Sequence, residues 1–306
     1  MSVEYITYRK IDKLKWDACI NRSQNRLIYA KSFYLDAMAQ NWDALVLNNY
    51  EAVMPLTWKR KWGISYLYQP AFVQQGGIFF SEPLSEEILN TFIEKAFSYF
   101  KFAEITLNYL NDSKLIAKAD ISLRNNFLLR LHKTYSETKQ TYSSITIKNL
   151  KRAANAGLSY HFTSDYLSIL KLYKKLYAER LPYFTQDDYY NFSLICKKLS
   201  EENNLVVRKV TNSEDELLAA AVILIDRNRL YNLVSCITQK GKLAQANYFL
   251  YDQLIQEFSN SKFILDFEGS DVKGIAEFYT RFNPQNEPYP FVKVNNLPAL
   301  IKIFKS

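Results

Sequence analysis

The chain has 306 residues, 48% hydrophobic and 23% charged, the balance of a globular protein with a large core and not of a disordered or fibrous chain. No apolar run reaches the roughly 18 residues that a spanning helix needs, so no transmembrane segment is expected. The 39 basic and 31 acidic residues leave a formal +8 spread along the chain, which suits a polyanionic partner or simple solubility. The opening MSVEYITYRK lacks the basic-then-apolar pattern of a secretory signal. Cys19, Cys196 and Cys236 are odd in number and have no ligand spacing, which points to reduced thiols and a cytoplasmic protein. His132 and His161 stand without carboxylate or Cys neighbours, so neither a metal site nor a Ser-His-Asp triad is expected.

In chain order, residues 44–57 read as a hairpin turning at Asn48, Asn49 and Tyr50. WKRKW, residues 58–62, interleaves cations with Trp58 and Trp62; it reads as a nucleic-acid stacking surface or as aromatics shielding a hairpin end. A third strand, ISYLYQP, is followed by a QQGG loop and by a helix with apolar residues at 88, 89, 92, 93, 96 and 97. Ser85, ahead of Glu86 and Glu87, is its expected N-cap. AEITLNYL then returns to alternation, and NFLLRLHK reads as a strand finishing this half.

The middle is helical: a segment ending at Gly157, then helices near 165–180 and 186–201, parted by Pro182. Thr185 and Asp188 form the capping pattern of the last of these. NLVVRKV and LLAAAVILID flank a polar turn, RLYNLVSCI makes a third strand, TQKGKLAQA a loop, NYFLYDQLIQEF a helix and KFILDFEG a closing strand. The element order of the first half therefore recurs in the second. The expected division is residues 1–134, then 135–306 comprising the helical insertion and a second unit. The fold class is α+β, with mixed sheets in duplicated units and helices between them.

In the strand ILDFE, period-two alternation places Asp266 and Glu268 on one face, Leu265 and Phe267 on the other. The two carboxylates are either solvated, capping the next turn or pairing with Arg281 or Lys273, or they line a cleft. Lys148, Lys151 and Arg152 share one helix face, either solvated or turned to an anion.

The hairpin–strand–loop–helix–strand order resembles the GNAT acyltransferase fold, in which the third strand feeds a loop and helix N-terminus that cradle the pyrophosphate of coenzyme A. Gln239, Lys240, Gly241 and Lys242 occupy that loop. Gly241 falls one residue early and Lys242 stands where the family has Gly, so an exposed basic turn is the alternative. A tandem GNAT pair with helices between the units resembles the FemABX family, which transfers amino acids from aminoacyl-tRNA to peptidoglycan precursors. IKNLKRAANAGL, YNLVSCITQKGKLAQANYFLYDQLIQEF and LDFEGSDVKGIAEFYTRFNPQNEPYP carry the likeness, with Asn283 in place of the family's Gly after Phe282. The resemblance implies an N-acyltransferase whose donor is acyl-coenzyme A or aminoacyl-tRNA, with no metal or tightly held cofactor. Its acceptor would be an amine, small or carrier-linked. Glu268, with Asp266 beside it, would be the base; Lys151, Arg152, Tyr231 and Arg281 would contact substrate. An aminoacyl-tRNA-dependent transferase of cell-wall precursors and a non-catalytic binding protein with the same fold remain the alternatives.

Overall fold

A computed structural model describes residues 2–111, 120–269 and 272–297. The chain divides into two compact units, residues 1–124 with 288–306, and residues 125–287. Unit 1 begins with strand β1 (Val3–Ile6) and helices α1 (Lys13–Arg22) and α2 (Ser32–Met38), followed by strands β2 (Trp42–Leu47), β3 (Ala52–Lys61), β4 (Ile64–Tyr68) and β5 (Phe79–Phe80). Helix α3 (Glu86–Tyr99) then leads to strands β6 (Phe102–Thr106) and β7 (Asp120–Arg124). Asn48 and Tyr50 take positive φ in the β2–β3 turn, as a tight hairpin requires. Ser85 caps α3 by accepting the Ile88 N–H, and the helix buries Phe92, Ile93 and Ala96 against the sheet.

Unit 2 holds β8 (Phe127–Arg130), α4 (Tyr135–Gln140), α5 (Ser144–Ala154), β9 (Ser159–Phe162), α6 (Tyr166–Tyr177) and α7 (Gln186–Glu201). Strands β10 (Leu205–Thr211), β11 (Leu217–Asp226) and β12 (Arg229–Ile237) follow. After them come α8 (Gln239–Leu243), α9 (Ala246–Phe258), β13 (Ile264–Asp266), α10 (Lys273–Thr280) and β14 (Gln285–Asn286). The last described strand, β15 (Tyr289–Asn295), returns to unit 1. Thr185 and Asp188 close the expected capping box on α7. On the sheet, α9 buries Leu250, Tyr251, Leu254 and Ile255 among Leu218, Ala221, Leu230, Leu265 and Phe267. Helices α6 and α7 pack on β12 and β10.

The two sheets read alike. Unit 1 runs β1-β2-β3-β4-β6-β15-β7, with β5 beside β3; unit 2 runs β9-β10-β11-β12-β13-β8-β14. Each has one parallel pair, β4 with β6 and β12 with β13, and antiparallel neighbours elsewhere. The sixth place in each sheet is filled from the other half of the sequence. NFLLRLHK, expected to finish the first half, forms β8 and pairs with β13 in unit 2. Strand β15 pairs with both β6 and β7 in unit 1. Strand pairing is a non-local choice, and the unit boundary consequently falls at Arg124 and Asn125 rather than after residue 134. Among the described residues no helix is long and apolar enough to cross a membrane, and no group of three His, Cys, Asp or Glu side chains could hold a metal ion.

Val292 and Val294 of β15 are buried in the unit 1 core, and β7 pairs within its sheet through β15. Burying each such side chain contributes about 1.5–3 kcal/mol, so the strand accounts for a large share of a total near 5–15 kcal/mol. A chain ending at Glu287 should lose the unfolding transition of unit 1 in calorimetry. Retention of a native melting profile would show that β15 is dispensable.

Candidate active site

Strands β12 and β13 run in parallel for a short distance. Arg229 faces Ile264, Leu230 faces Leu265 and Tyr231 faces Asp266; β13 ends there while β12 continues to Ile237. On its other side β12 carries a bulge: Leu224 faces Tyr231 and Val222 faces Val234, so Asn232 and Leu233 share one place on the ladder. The bulge lies next to the place where the parallel pair ends.

The end of β13 is built by Asp266. Its Oδ1 accepts the Glu268 N–H at 2.9 Å, and Glu268 adopts a left-handed φ of 63°. Gly269 follows at φ 52°, where an added Cβ would lie 1.9 Å from the Asn125 carbonyl oxygen. The alternation expected to carry Asp266 and Glu268 on one face therefore stops at Asp266. Phe267 keeps its place in the core and donates its N–H to the Phe127 carbonyl at 2.9 Å.

Asp266 is fully buried, and its Oδ2 takes the Arg229 guanidinium at 2.8 Å from Nε and 2.7 Å from Nη2. Both of its oxygens are thus engaged in holding the strand end, which makes it a structural anchor. Of the alternatives for these carboxylates, pairing with Arg281 is not the one seen for Asp266: Arg281 donates to the Tyr248 hydroxyl, and the Lys273 side chain lies outside the described residues. Glu287 adds a second carboxylate to this cluster. Burial raises its pKa above the ordinary 4.5, Arg229 pulls it down and Asp266 pushes it up again.

Glu268 is half-buried and adds its charge to the surroundings of Tyr279 on α10. Burial first, then Tyr251, raises the Tyr279 pKa well above that of a free phenol, with Glu268 contributing. The hydroxyl is therefore protonated throughout the physiological range. Around it, Asn232 Nδ2 donates to the Tyr251 hydroxyl at 2.7 Å, and Ser235 and Tyr279 lie close enough to influence that hydroxyl. The Tyr279 ring lies 4.8 Å from Phe267. From the other face of the sheet, the Tyr177 hydroxyl of α6 accepts the Ile237 N–H at 3.3 Å, at the end of β12.

Sequence reasoning missed Asn232, Ser235, Tyr251 and Tyr279. Tyr251 and Tyr279 look like core positions of amphipathic helices, and an Asn inside an apolar strand was the one local signal. Tyr231 was expected at a substrate; it is 1% exposed, with the Arg229 guanidinium 5.3 Å from its ring, and packs on the anchor. The Cys236 thiol, also buried, has its pKa pushed up to about 12 and is no nucleophile.

The expected phosphate loop is instead helical. Thr238 caps α8, its Oγ1 accepting the Gly241 N–H at 3.0 Å and its carbonyl the Lys242 N–H at 3.0 Å. A Cβ on Gly241 would stand 2.2 Å from the Leu218 carbonyl oxygen, so this glycine permits close packing of α8 on β11. Those two amides are thus engaged within the helix and its cap. Gln239 begins the helix; Lys240 is tied to Glu216 at 2.6 and 2.9 Å, which raises its pKa. Lys242 is exposed. Lys148, Lys151 and Arg152 of α5 are exposed as well, a solvated helix face.

Removing one partner of a buried ion pair strands the other, so Asp266→Asn should cost about 3–5 kcal/mol in denaturant unfolding. The double replacement Arg229→Met, Asp266→Leu should lie closer to the parent. Because the folded state holds the Glu287 proton more tightly than the unfolded state does, its contribution is favourable below the ordinary 4.5 and is lost as pH rises through the raised value. Glu287→Gln should therefore gain stability over the parent as pH rises from the ordinary 4.5 through the raised value, and hold that gain above it. A constant difference from pH 4 to 7 would contradict the assignment.

No protein-family model matches the chain, and no curated protein matches it significantly. Solved structures do. FemX superposes with a TM-score of 0.69 over 99% of this chain and 100% of its own, at 12% identity. A conserved protein of unknown function from Bacteroides thetaiotaomicron gives 0.63 over 95% and 99%, at 11% identity. L-PGS from Bacillus licheniformis gives 0.54 over 96% and 95%, at 12% identity. At such identities the likeness concerns architecture alone: the chain has the fold of FemX and L-PGS.

Proposed function

We propose that the protein is an N-acyltransferase that moves an acyl or aminoacyl group from a thioester or ester donor to an amine, with its chemistry at the opening between β12 and β13. What supports this reading is that Glu268, half-buried just after β13, adds its charge to the surroundings of Tyr279, a phenol kept protonated chiefly by burial. The fold likeness to FemX supports it.

In this reading the amine attacks the acyl carbonyl carbon, forming the new C–N bond as the bond to the donor sulfur or oxygen breaks. Glu268 takes the amine proton, directly or through a water, and Tyr279 supplies a proton or hydrogen bond to the departing atom. No covalent enzyme intermediate is required, and positioning in the cleft provides most of the acceleration. Asp266 acts through geometry, by ending β13 where Glu268 can turn.

The donor is acyl-coenzyme A or aminoacyl-tRNA. Either brings phosphate, for which Lys242 and Arg281, near the start of α9, are the available cations; the carrier-linked acceptor and a tRNA contact at Lys151 and Arg152 belong to the same proposal. The engaged amides of α8 favour a second reading, a binding protein that keeps the fold without turnover. Assay of amide formation with acetyl-coenzyme A and with charged tRNA separates the two.

Glu268→Gln should lower turnover by about 10²- to 10⁴-fold with a near-parental melting temperature. A fully active variant would remove Glu268 from the chemistry. Lys242→Ala should weaken donor binding by roughly tenfold, because it removes a charge-assisted hydrogen bond to phosphate. Lys240→Ala should change it less, since Glu216 already holds that ammonium; titration of the donor against both variants measures the difference.

A further inference from the structure

The polar groups around Tyr251 are unevenly satisfied. Asn232 is 3% exposed, and its Nδ2 is used by Tyr251. Among the described residues its Oδ1 is buried and has no hydrogen-bond partner. Leaving a carbonyl oxygen unmatched in the interior costs about 1–3 kcal/mol, so such an atom calls for a donor. A second unmatched oxygen belongs to Asn247, again a buried Oδ1. Asn247 lies four residues before Tyr251 on α9, hence on the same helix face, one turn nearer the helix start. Glu268, an acceptor when ionised, borders the same group through Tyr279.

Two carbonyl oxygens and a carboxylate are all acceptors, and the phenols of Tyr251 and Tyr279 can accept as well as donate. A carbonyl, phosphate or carboxylate ligand would find few donors there. A ligand with several N–H groups on one atom would satisfy the set, and an ammonium is close to the size of a water, so it needs little room. The bulge at Asn232 brings its amide to the place where β13 has left the sheet.

We infer that Asn232 and Asn247 form a recognition site for a primary amine at the β12–β13 opening. The inference rests on the transferase reading, which it deepens: the amine is either the attacking group of the acceptor or the free α-amino group of an aminoacyl donor. Asn232 and Asn247 bind the ammonium through N–H···O bonds, and Glu268 relieves it of a proton when it is to attack.

The test uses the full chain and three probes: L-alaninamide, which presents an α-amine, Nα-acetyl-L-lysinamide, which presents a side-chain amine, and N-acetyl-L-alaninamide, which presents none. Thermal shifts titrated at millimolar concentration report binding, because a ligand of the native state raises the melting temperature by mass action. The free amines should raise it and the acetylated control should not. Asn232→Leu should weaken amine binding by roughly tenfold or more. Its ligand-free stability reports a separate balance, because the unmatched Oδ1 is removed together with the Nδ2–Tyr251 hydrogen bond. Asn232→Asp, which keeps the shape and adds charge, should tighten binding, and it serves if the leucine variant fails to fold. A response to L-alaninamide alone assigns the site to the donor, and a response to the lysine derivative alone assigns it to the acceptor. Equal shifts from the acetylated control, undiminished amine binding in Asn232→Leu, or no response to either amine would overturn the inference. Asn232-dependent amine binding without amide formation from either donor would leave this site standing and remove the transferase reading. Amide formation with an unchanged KM for the amine in Asn232→Leu would do the opposite.

Discussion

The parallel pairing of β12 with β13 stops after Tyr231 and Asp266, and the candidate site follows from that stop. A longer β13 would fill the space beside β12 with backbone and cover the bulge at Asn232. What ends the strand is one buried carboxylate with two tasks: Asp266 accepts the Glu268 amide on one oxygen and the Arg229 guanidinium on the other. The first bond turns the chain into the left-handed conformation at Glu268. The second neutralises the charge that makes the first bond strong. Without Arg229, an ionised Asp266 in that place would be too costly to bury.

Around this stop the polar side chains divide by role. Asp266, Arg229, Glu287 and Tyr231 form a packed, charged anchor at the root of the opening. Asn232, Ser235, Tyr251, Tyr279 and Glu268 stand further along, on the side covered by α9 and α10. Within the anchor, among the described residues, a Glu287 oxygen and the Arg229 Nη2, which sits 2.7 Å from Asp266 Oδ2 in the ion pair, are buried without a hydrogen-bond partner. The second group includes the buried Asn232 Oδ1, an acceptor without a partner among the described residues.

Local chemistry made much of the fold legible. The hairpins, the Ser85 cap, the Thr185–Asp188 box and the strand RLYNLVSCI all follow from short-range rules, and the structure contains them. What escaped was non-local. The pattern of NFLLRLHK identifies a strand but carries nothing about which sheet it joins. Asp266 finds its partner at Arg229, 37 residues earlier, on a neighbouring strand whose register cannot be read from either segment alone. The α8 segment contains Gly241 and two lysines and reads as a loop; its helix depends on the Thr238 cap and on the close approach to Leu218. Among 23 tyrosines, nothing local sets Tyr251 and Tyr279 apart.

The exchange of β8 and β15 between the sheets also governs how the chain can acquire its structure during synthesis. Asn126 and Asn286 are hydrogen-bonded across 160 residues, and β15 joins β6 only after all of unit 2 has been made. A ribosome releasing this chain exposes β6 and β7 as unfinished sheet edges while the inserted unit is still emerging. Pairing at such sequence separation is slow, because loop closure must precede the reward of contact. Unit 2 is contiguous and can close first; unit 1 must wait for its sixth strand. Nascent chains stalled before β15 should therefore be the species that engage chaperones or aggregate, through the apolar edge that Val292 and Val294 later cover.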